Sequence, residues 1–426
     1  MLLIKNGRVI DPKSKRDEFL DLLIDGNIIK KLEKKIDYCS SNCNVIDAKG
    51  KIVSPGFIDV HVHFRDPGFT YKEDIQTGSM AAARGGYTTV ICMANTNPIV
   101  DNIDTLKYII KECEKSPINV YQTASITEKL KGKNIVDMEL LKHNGAIGFT
   151  DDGVPILDSK IAIKSMEIAK ELNLPLSFHE EDPNLIGLAG INDGSISKKM
   201  GINGASNLAE DVMVARDCVL ALETKAKVNI QHISSGNSVD IIRNAKAKGA
   251  NITAEVSPHH FSLTEDAVLL YGTNAKMNPP LRTEYDRMKL IEGIKDDTID
   301  IIATDHAPHS EEEKKREFAK APSGIIGLET SLALGITNLV NKNHISLSKL
   351  IEKITINPAL LYNLDLGYID VGSKADIVIF DPIEKWVVKK FYSKSSNTPF
   401  IGQELFGKVK FTICNGKIIY QDDSSS

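Results

Sequence analysis

What most constrains the fold of this chain is an alternation that starts near residue 55: a short β-rich run, then a longer helical stretch, repeated as far as residue 305. The β-rich runs are 58-IDVHVHF-64, 88-TTVICMAN-95, 118-INVYQTASI-126, 146-AIGFTD-151, 174-LPLSFHE-180, 228-VNIQHIS-234, 251-NITAEVS-257 and 299-IDIIATD-305, eight in all. Between most of them lie helix-like segments such as 73-EDIQTGSMAAARGG-86, 159-SKIAIKSMEIAKELN-173 and 237-NSVDIIRNAKAKG-249. Each closes on the Gly or Asn that suits a helix C-terminus. Eight β-then-α units are the count of a (β/α)8 barrel, so an α/β fold of the TIM-barrel kind is expected. The alternative, a doubly wound sheet with a dinucleotide site, wants a GxGxxG after its first strand, and none is there.

The two ends of the chain read differently. Segments 2-LLIKNGRVI-10, 21-DLLIDGNIIKKL-32 and 44-NVIDAKGKIVSPG-56 are β-rich, with Asn-Gly, Asp-Gly and Lys-Gly pairs that suggest hairpin turns. Segments 373-SKADIVIFDP-382 and 410-KFTICNGKIIYQD-422 have the same texture. Neither end holds enough strands for a sheet of its own, so the two are expected to pair into one small β-sandwich domain. The expected division gives residues 1–54 and 362–426 to this composite domain and 55–361 to the barrel.

Of the 426 residues 26% are charged, the formal net charge is -5, and no long single-sign block occurs. That removes the basic footprint a nucleic-acid partner would need. No apolar run reaches the roughly 18 residues of a membrane span, and the opening MLLIKNGRVIDPKSK reads as a strand, not a signal peptide. The six cysteines at 39, 43, 92, 113, 218 and 414 are scattered. Cys39 and Cys43 form the one close pair and lack a second pair to complete a zinc knuckle, so reduced thiols in a cytoplasmic protein are expected.

Chemistry enters at the ends of the strands. Residues i and i+2 of a strand share a face, so His61 and His63 in 57-FIDVHVHFRDPG-68 project side by side. Active sites of such barrels lie at the C-terminal ends of the strands. The fourth run leads into Asp151 and Asp152, the fifth to His179, the sixth to His232 and the eighth to Asp305. Taken singly, each is more often a hydrogen-bonded core histidine, a turn or a cap. Taken together, four of ten histidines at one rim of one barrel point to a metal site. Imidazole and carboxylate ligands suit zinc, with manganese, cobalt or iron able to replace it. Four histidines and two aspartates exceed one tetrahedral ion and fit two, bridged by a carboxylate and a hydroxide.

These residues, with 93-MANTNP-98, 148-GFTDDG-153, 254-AEVSPHH-260, 275-AKMNPPLR-282 and 302-IATDHAPH-309, resemble the class I, bacterial-type dihydroorotases of the amidohydrolase superfamily over essentially the whole chain. The resemblance implies His61, His63 and Asp305 as ligands of the more buried ion, His179 and His232 as ligands of the second, and Asp152 as the bridge. Most of the superfamily bridges with a carboxylated lysine; this chain has none between Gly145 and Val154, so an aspartate is expected to serve. Alternation sends Asp151 and Asp152 to opposite sides, and the family pattern favours Asp152. Arg65, Asn95 and His309 resemble the clamp on a substrate carboxylate, which a guanidinium fork matches. Asn278 resembles the residue that reads the pyrimidine ring, and Ser323-Gly324 the backbone contact to it. His63 is also placed against substrate. The resemblance gives His259 and His260 no metal.

The activity implied is reversible hydrolysis of dihydroorotate to N-carbamoyl-L-aspartate, by a metal-bridged hydroxide with Asp305 as general acid and base. It further implies a homodimer and leaves association with aspartate transcarbamoylase open. Two rivals stand beside it. One is another cyclic amidase, a hydantoinase, dihydropyrimidinase or allantoinase, whose uncharged ring gives Arg65 nothing to clamp. The other is a non-catalytic scaffold, which the full ligand set opposes. Segment 309-HSEEEKKREFAKAPSG-324 is either a lid over the site or a plain solvated loop.

Overall fold

The computed structural model describes residues 1–37 and 43–423; Cys39 lies outside them. Eight parallel strands follow the eight β-rich runs: Phe57–Val62, Tyr87–Cys92, Asn119–Gln122, Phe149–Thr150, Leu176–Phe178, Val228–Ile230, Ile252–Val256 and Ile301–Ile302. Ladders join the first three and the last five. Single parallel bridges close both seams, Ala124 to Phe149 and Val62 to His306. The result is a closed barrel.

The strands are shorter than the runs that foretold them, and the reason is visible at their C-terminal ends. There buried carboxylates take over the backbone N–H groups that a ladder would otherwise pair. Asp59 accepts from the N–H of Thr304 at 3.2 Å and of His61 at 3.1 Å. Asp151 accepts from Ile126 at 2.7 Å and Thr127 at 3.0 Å, and Glu210 from Ser234 at 3.1 Å and Ser235 at 2.9 Å. The rim is thus opened for side chains without orphaning its amides.

Helix packing follows from small residues. Helix Ile75–Gly85 starts at Asp74, whose side chain accepts from Thr77 N–H, and ends at Gly86 with φ 91°. Its buried face is Ile75, Gly78, Ser79 and Ala81 to Ala83, small enough to lie directly on the barrel: a Cβ at Gly78 would come within 2.4 Å of the Phe64 ring. Gly86 sits where a side chain would strike Phe57 and Val378.

The chain ends form one eight-stranded mixed sheet. Its order is Lys417–Gln421, Glu404–Cys414, Ile377–Val387, Ile52–Pro55, Leu2–Asp11, Arg16–Asp25 and Ile28–Glu33, with Asn44–Asp47 added to Leu2–Asp11. The glycine pairs behave in three ways. Asn415-Gly416, with φ 49° and 74°, makes the expected two-residue hairpin. Asn6-Gly7 is not a turn: it is a bulge within Leu2–Asp11, where Asn6 has φ 60° and the register shifts. Lys49-Gly50 links two strands that each run parallel to Leu2–Asp11, so it makes no hairpin either. Asp376 ties this sheet to the barrel: its side chain accepts from Asn119 Nδ2 at 3.1 Å and Asn415 N–H at 2.6 Å, and its main-chain oxygen from Gly56 N–H at 2.8 Å. Phe57 packs between Tyr87 and Phe380 with ring centroids 5.7 and 6.1 Å away.

Among the described residues no helix is long and apolar enough to cross a membrane. Cys43, Cys92, Cys113, Cys218 and Cys414 are free thiols.

Candidate active site

His61, inside the first strand, and His63, just beyond it, lie side by side with ring centroids 5.3 Å apart. His61 Nε2 is 3.3 Å from Asp152 Oδ1 and 3.5 Å from Asp305 Oδ1. His63 Nε2 is 3.0 Å from Asp305 Oδ1 and 3.5 Å from Asp152 Oδ2. Across the mouth, His232 Nε2 is 3.0 Å from His179 Nδ1, and these atoms are 3.7 and 3.9 Å from Asp152 Oδ1. All six residues are buried. Two overlapping ligand groups result, His61 with Asp152 and His232, and His61 with His63 and Asp305, each with its ligand atoms within 4.8 Å of one another.

The backbone bends to make this convergence. His232 has φ 32°, Asp305 φ 46° and Arg65 φ 60°, in the left-handed region where a non-glycine residue costs on the order of 1–3 kcal/mol. Asp and His enter that region more readily than β-branched residues.

The electrostatics call for a cation. Burial alone would push the Asp152 and Asp305 carboxyls up, yet the imidazoles around them, His61 foremost, hold both below their usual range. Burial works against a proton on His61, but Asp305 and Asp152 pull its pKa well above the ordinary value. His61 Nε2 is itself buried and without a hydrogen-bond partner. Imidazole nitrogens gathered around two carboxylates, that of His61 without a hydrogen bond, are a donor set that suits a divalent metal.

The nitrogens that face away are held too. His61 Nδ1 is 3.1 Å from Glu255 Oε2, His63 Nδ1 is 3.0 Å from Asn95 Oδ1, and His179 Nε2 is 3.4 Å from Glu181 Oε2. Such partners fix the tautomer and leave the inward nitrogen free to ligate. Glu255 and Glu181 were missed in the sequence. A carboxylate in the middle of a barrel strand, and another two residues past a histidine, were the signals available.

Asp151 and Asp152 separate as alternation requires. Asp151 turns away to the Ile126 and Thr127 amides and the Thr127 hydroxyl; Asp152 enters the cluster. Arg65 and His309 meet, with Nη2 3.4 Å from Nε2. Asn95 stands closer to the cluster than to this pair, with Nδ2 donating to Asp152 Oδ2 at 3.0 Å. Asn278 has a buried Oδ1 without a partner. Ser323 lies against Gly190, where a Cβ would come within 2.5 Å of its Oγ, and Gly324 has no room for a side chain beside His309. Asn397, far along the chain, accepts from the His309 N–H at 3.0 Å and donates to Ala307 O at 3.0 Å and Gly324 O at 2.9 Å. No sequence signal marked it. His259 and His260 are buried, and His260 Nε2 meets Pro279 O at 3.0 Å.

Residues 52–419 match the amidohydrolase family. A dihydroorotase of Clostridioides difficile (strain 630) is 64% identical over 420 residues, covering 99% of this chain and 100% of the relative. One from Clostridium acetobutylicum is 58% identical over 424 residues with the same coverage. Among solved structures, the D-hydantoinase (dihydropyrimidinase) from Thermus sp. superimposes with a TM-score of 0.86 at 26% identity, over 99% of this chain and 96% of that one. The L-hydantoinase (dihydropyrimidinase) from Arthrobacter aurescens gives a TM-score of 0.87 at 23% identity, again over 99% and 96%, which speaks to the fold alone.

Proposed function

The chain belongs to the amidohydrolase family, and on that premise we propose that it carries the dihydroorotase activity of its full-length relatives, on a centre of two zinc ions. It is a cyclic amidohydrolase that interconverts dihydroorotate and N-carbamoyl-L-aspartate. His61, His63 and Asp305 would hold one ion and His179 and His232 the other, with Asp152 reaching both. What supports this reading is the convergence of imidazole nitrogens on Asp152 and Asp305 beside the Arg65–His309 pair.

These residues would hold zinc, which would acidify a water and polarise the ring carbonyl of the substrate. Everything else falls to the chain. Arg65 and His309 hold the substrate carboxylate, with Asn95 beside them, and Asn278 and the Ser323-Gly324 backbone hold the ring. Asp305 takes the proton from the attacking water as the new carbon–oxygen bond forms. It delivers that proton to the ring nitrogen as the carbon–nitrogen bond breaks. In ring closure the carboxylate removes a proton from the carbamoyl nitrogen and returns it to the departing oxygen. The chain divides, in this reading, into a barrel of residues 55–361 and a composite β-domain of 1–54 and 362–426.

The test is the loss of dihydroorotate absorbance with purified protein as isolated, after chelation, and after zinc is restored. Hydantoin, dihydrouracil and allantoin are run alongside. Activity on dihydroorotate that goes with the metal and returns with zinc is expected. Faster turnover of the uncharged rings would favour a hydantoinase. A cytoplasmic homodimer, open to aspartate transcarbamoylase, is proposed from the family resemblance; light scattering of the purified protein, alone and with that transferase, decides it.

A further inference from the structure

Two lysines beside the pocket are buried, and main-chain oxygen meets both. Lys276 Nζ donates to Phe318 O and Ala321 O, each at 2.7 Å. Lys314 Nζ donates to Pro322 O and Gly324 O, each at 3.0 Å. The backbone of Lys276 joins in, accepting from Gly324 N–H at 2.9 Å. One residue therefore stitches the segment that carries Asn278 to the segment that carries Ser323 and Gly324. Residues 315–317, 319 and 320 of the same loop are exposed, so the loop is anchored at its base and open at its tip.

An apolar side chain would fill either position without the cost of desolvating an ammonium. What the two ammonium groups add is partners for four carbonyls, that of Gly324 shared with Asn397 Nδ2, in a stretch with no ladder or helix to pair them. We propose that Lys276 and Lys314 are positioning residues that lock segment 318–324 against the Asn278 segment, making it a fixed wall of the ring pocket and not a swinging lid. This rests on the reading of Asn278, Ser323 and Gly324 as ring contacts.

The experiment uses the zinc-loaded enzyme with Lys276→Met and, separately, Lys314→Met. It reads KM and kcat for dihydroorotate and the rate of tryptic cleavage after Lys315, Arg316 and Lys320. Loss of hydrogen bonds from a charged donor predicts a KM raised roughly tenfold to a hundredfold, with kcat changed far less. Cleavage is expected to accelerate in both variants, and saturating dihydroorotate to slow it again. If one variant fails to fold, the other carries the same expectation. Unchanged cleavage and KM overturn the lock. Faster cleavage with unchanged KM overturns the positioning role while leaving the activity intact. Turnover by the unsubstituted enzyme tests the dihydroorotase reading itself, so the two failures are told apart.

Discussion

Glu255 Oε2 stands 3.1 Å from Nδ1 of His61, while its other oxygen takes a hydrogen bond from the Asn229 side chain. The pairing holds a proton on Nδ1 and turns His61 Nε2 toward Asp152 and Asp305, where a metal would take the place of its proton. Glu255→Gln keeps the size of the side chain and removes its charge. Metal affinity is expected to fall about tenfold to a hundredfold, read by competition with a chromogenic chelator. Unaltered affinity would leave Glu255 as a core residue only.

Asp305→Asn is the sharpest test of the proton carrier. Asn enters the left-handed region as readily as Asp, so the φ of 46° at this position is kept. The substituted protein should fold and retain metal, with kcat reduced by on the order of a hundredfold to ten-thousandfold. Wild-type-like turnover, with metal content verified, would take Asp305 out of the proton path.

The barrel was legible because strands buried on both faces read as short apolar runs that recur between helical stretches, and the candidate ligands because histidines are few and cluster at one rim. Strand alternation sent Asp151 and Asp152 to opposite sides, and the family pattern, not alternation, favoured Asp152. What the sequence hid is held by contacts between distant segments. Asn397 reaches the mouth from beyond the barrel, with no pattern around it to mark the excursion. Asn6-Gly7 has the composition of a turn, yet the chain stays extended because Arg16–Asp25 pairs with both halves of Leu2–Asp11 across a bulge. Local propensity lost there to a longer ladder.

His309 gives a prediction in pH. Burial, then the charges of Arg65 and Lys72, press its pKa down to about 2. The neutral ring suits its neighbours, since cationic donors face both of its nitrogens, Arg65 Nη2 at 3.4 Å from Nε2 and Lys72 Nζ at 3.3 Å from Nδ1. KM for dihydroorotate should therefore show no break near the ordinary histidine value of about 6.5. A break there that disappears in His309→Asn would mean that the imidazolium binds substrate.

Arg65→Lys separates charge from shape. Arg65 Nε donates to Pro308 O at 3.2 Å, which aims the fork across the mouth. A lysine keeps the positive charge and loses the planar pair of donors. KM for dihydroorotate should rise by roughly tenfold or more, while turnover of an uncharged ring such as hydantoin stays as it was. An equal loss on both substrates would assign Arg65 to holding the mouth together.

Metal removal should also be felt by the fold. Five buried side chains form the two ligand groups, and without a cation their two carboxylates are offset mainly by protonated imidazole. A ligand that binds only the native state adds about 2.7 kcal/mol at a hundred times its Kd. Chelation should therefore lower Tm by a few degrees, and zinc should restore it. His179→Ala and His61→Ala divide the effect, since His61 belongs to both ligand groups and His179 to neither. His61→Ala should abolish the zinc-dependent rise in Tm, whereas His179→Ala should leave part of it. Equal retention of that rise in both variants would locate the stabilising metal elsewhere in the protein.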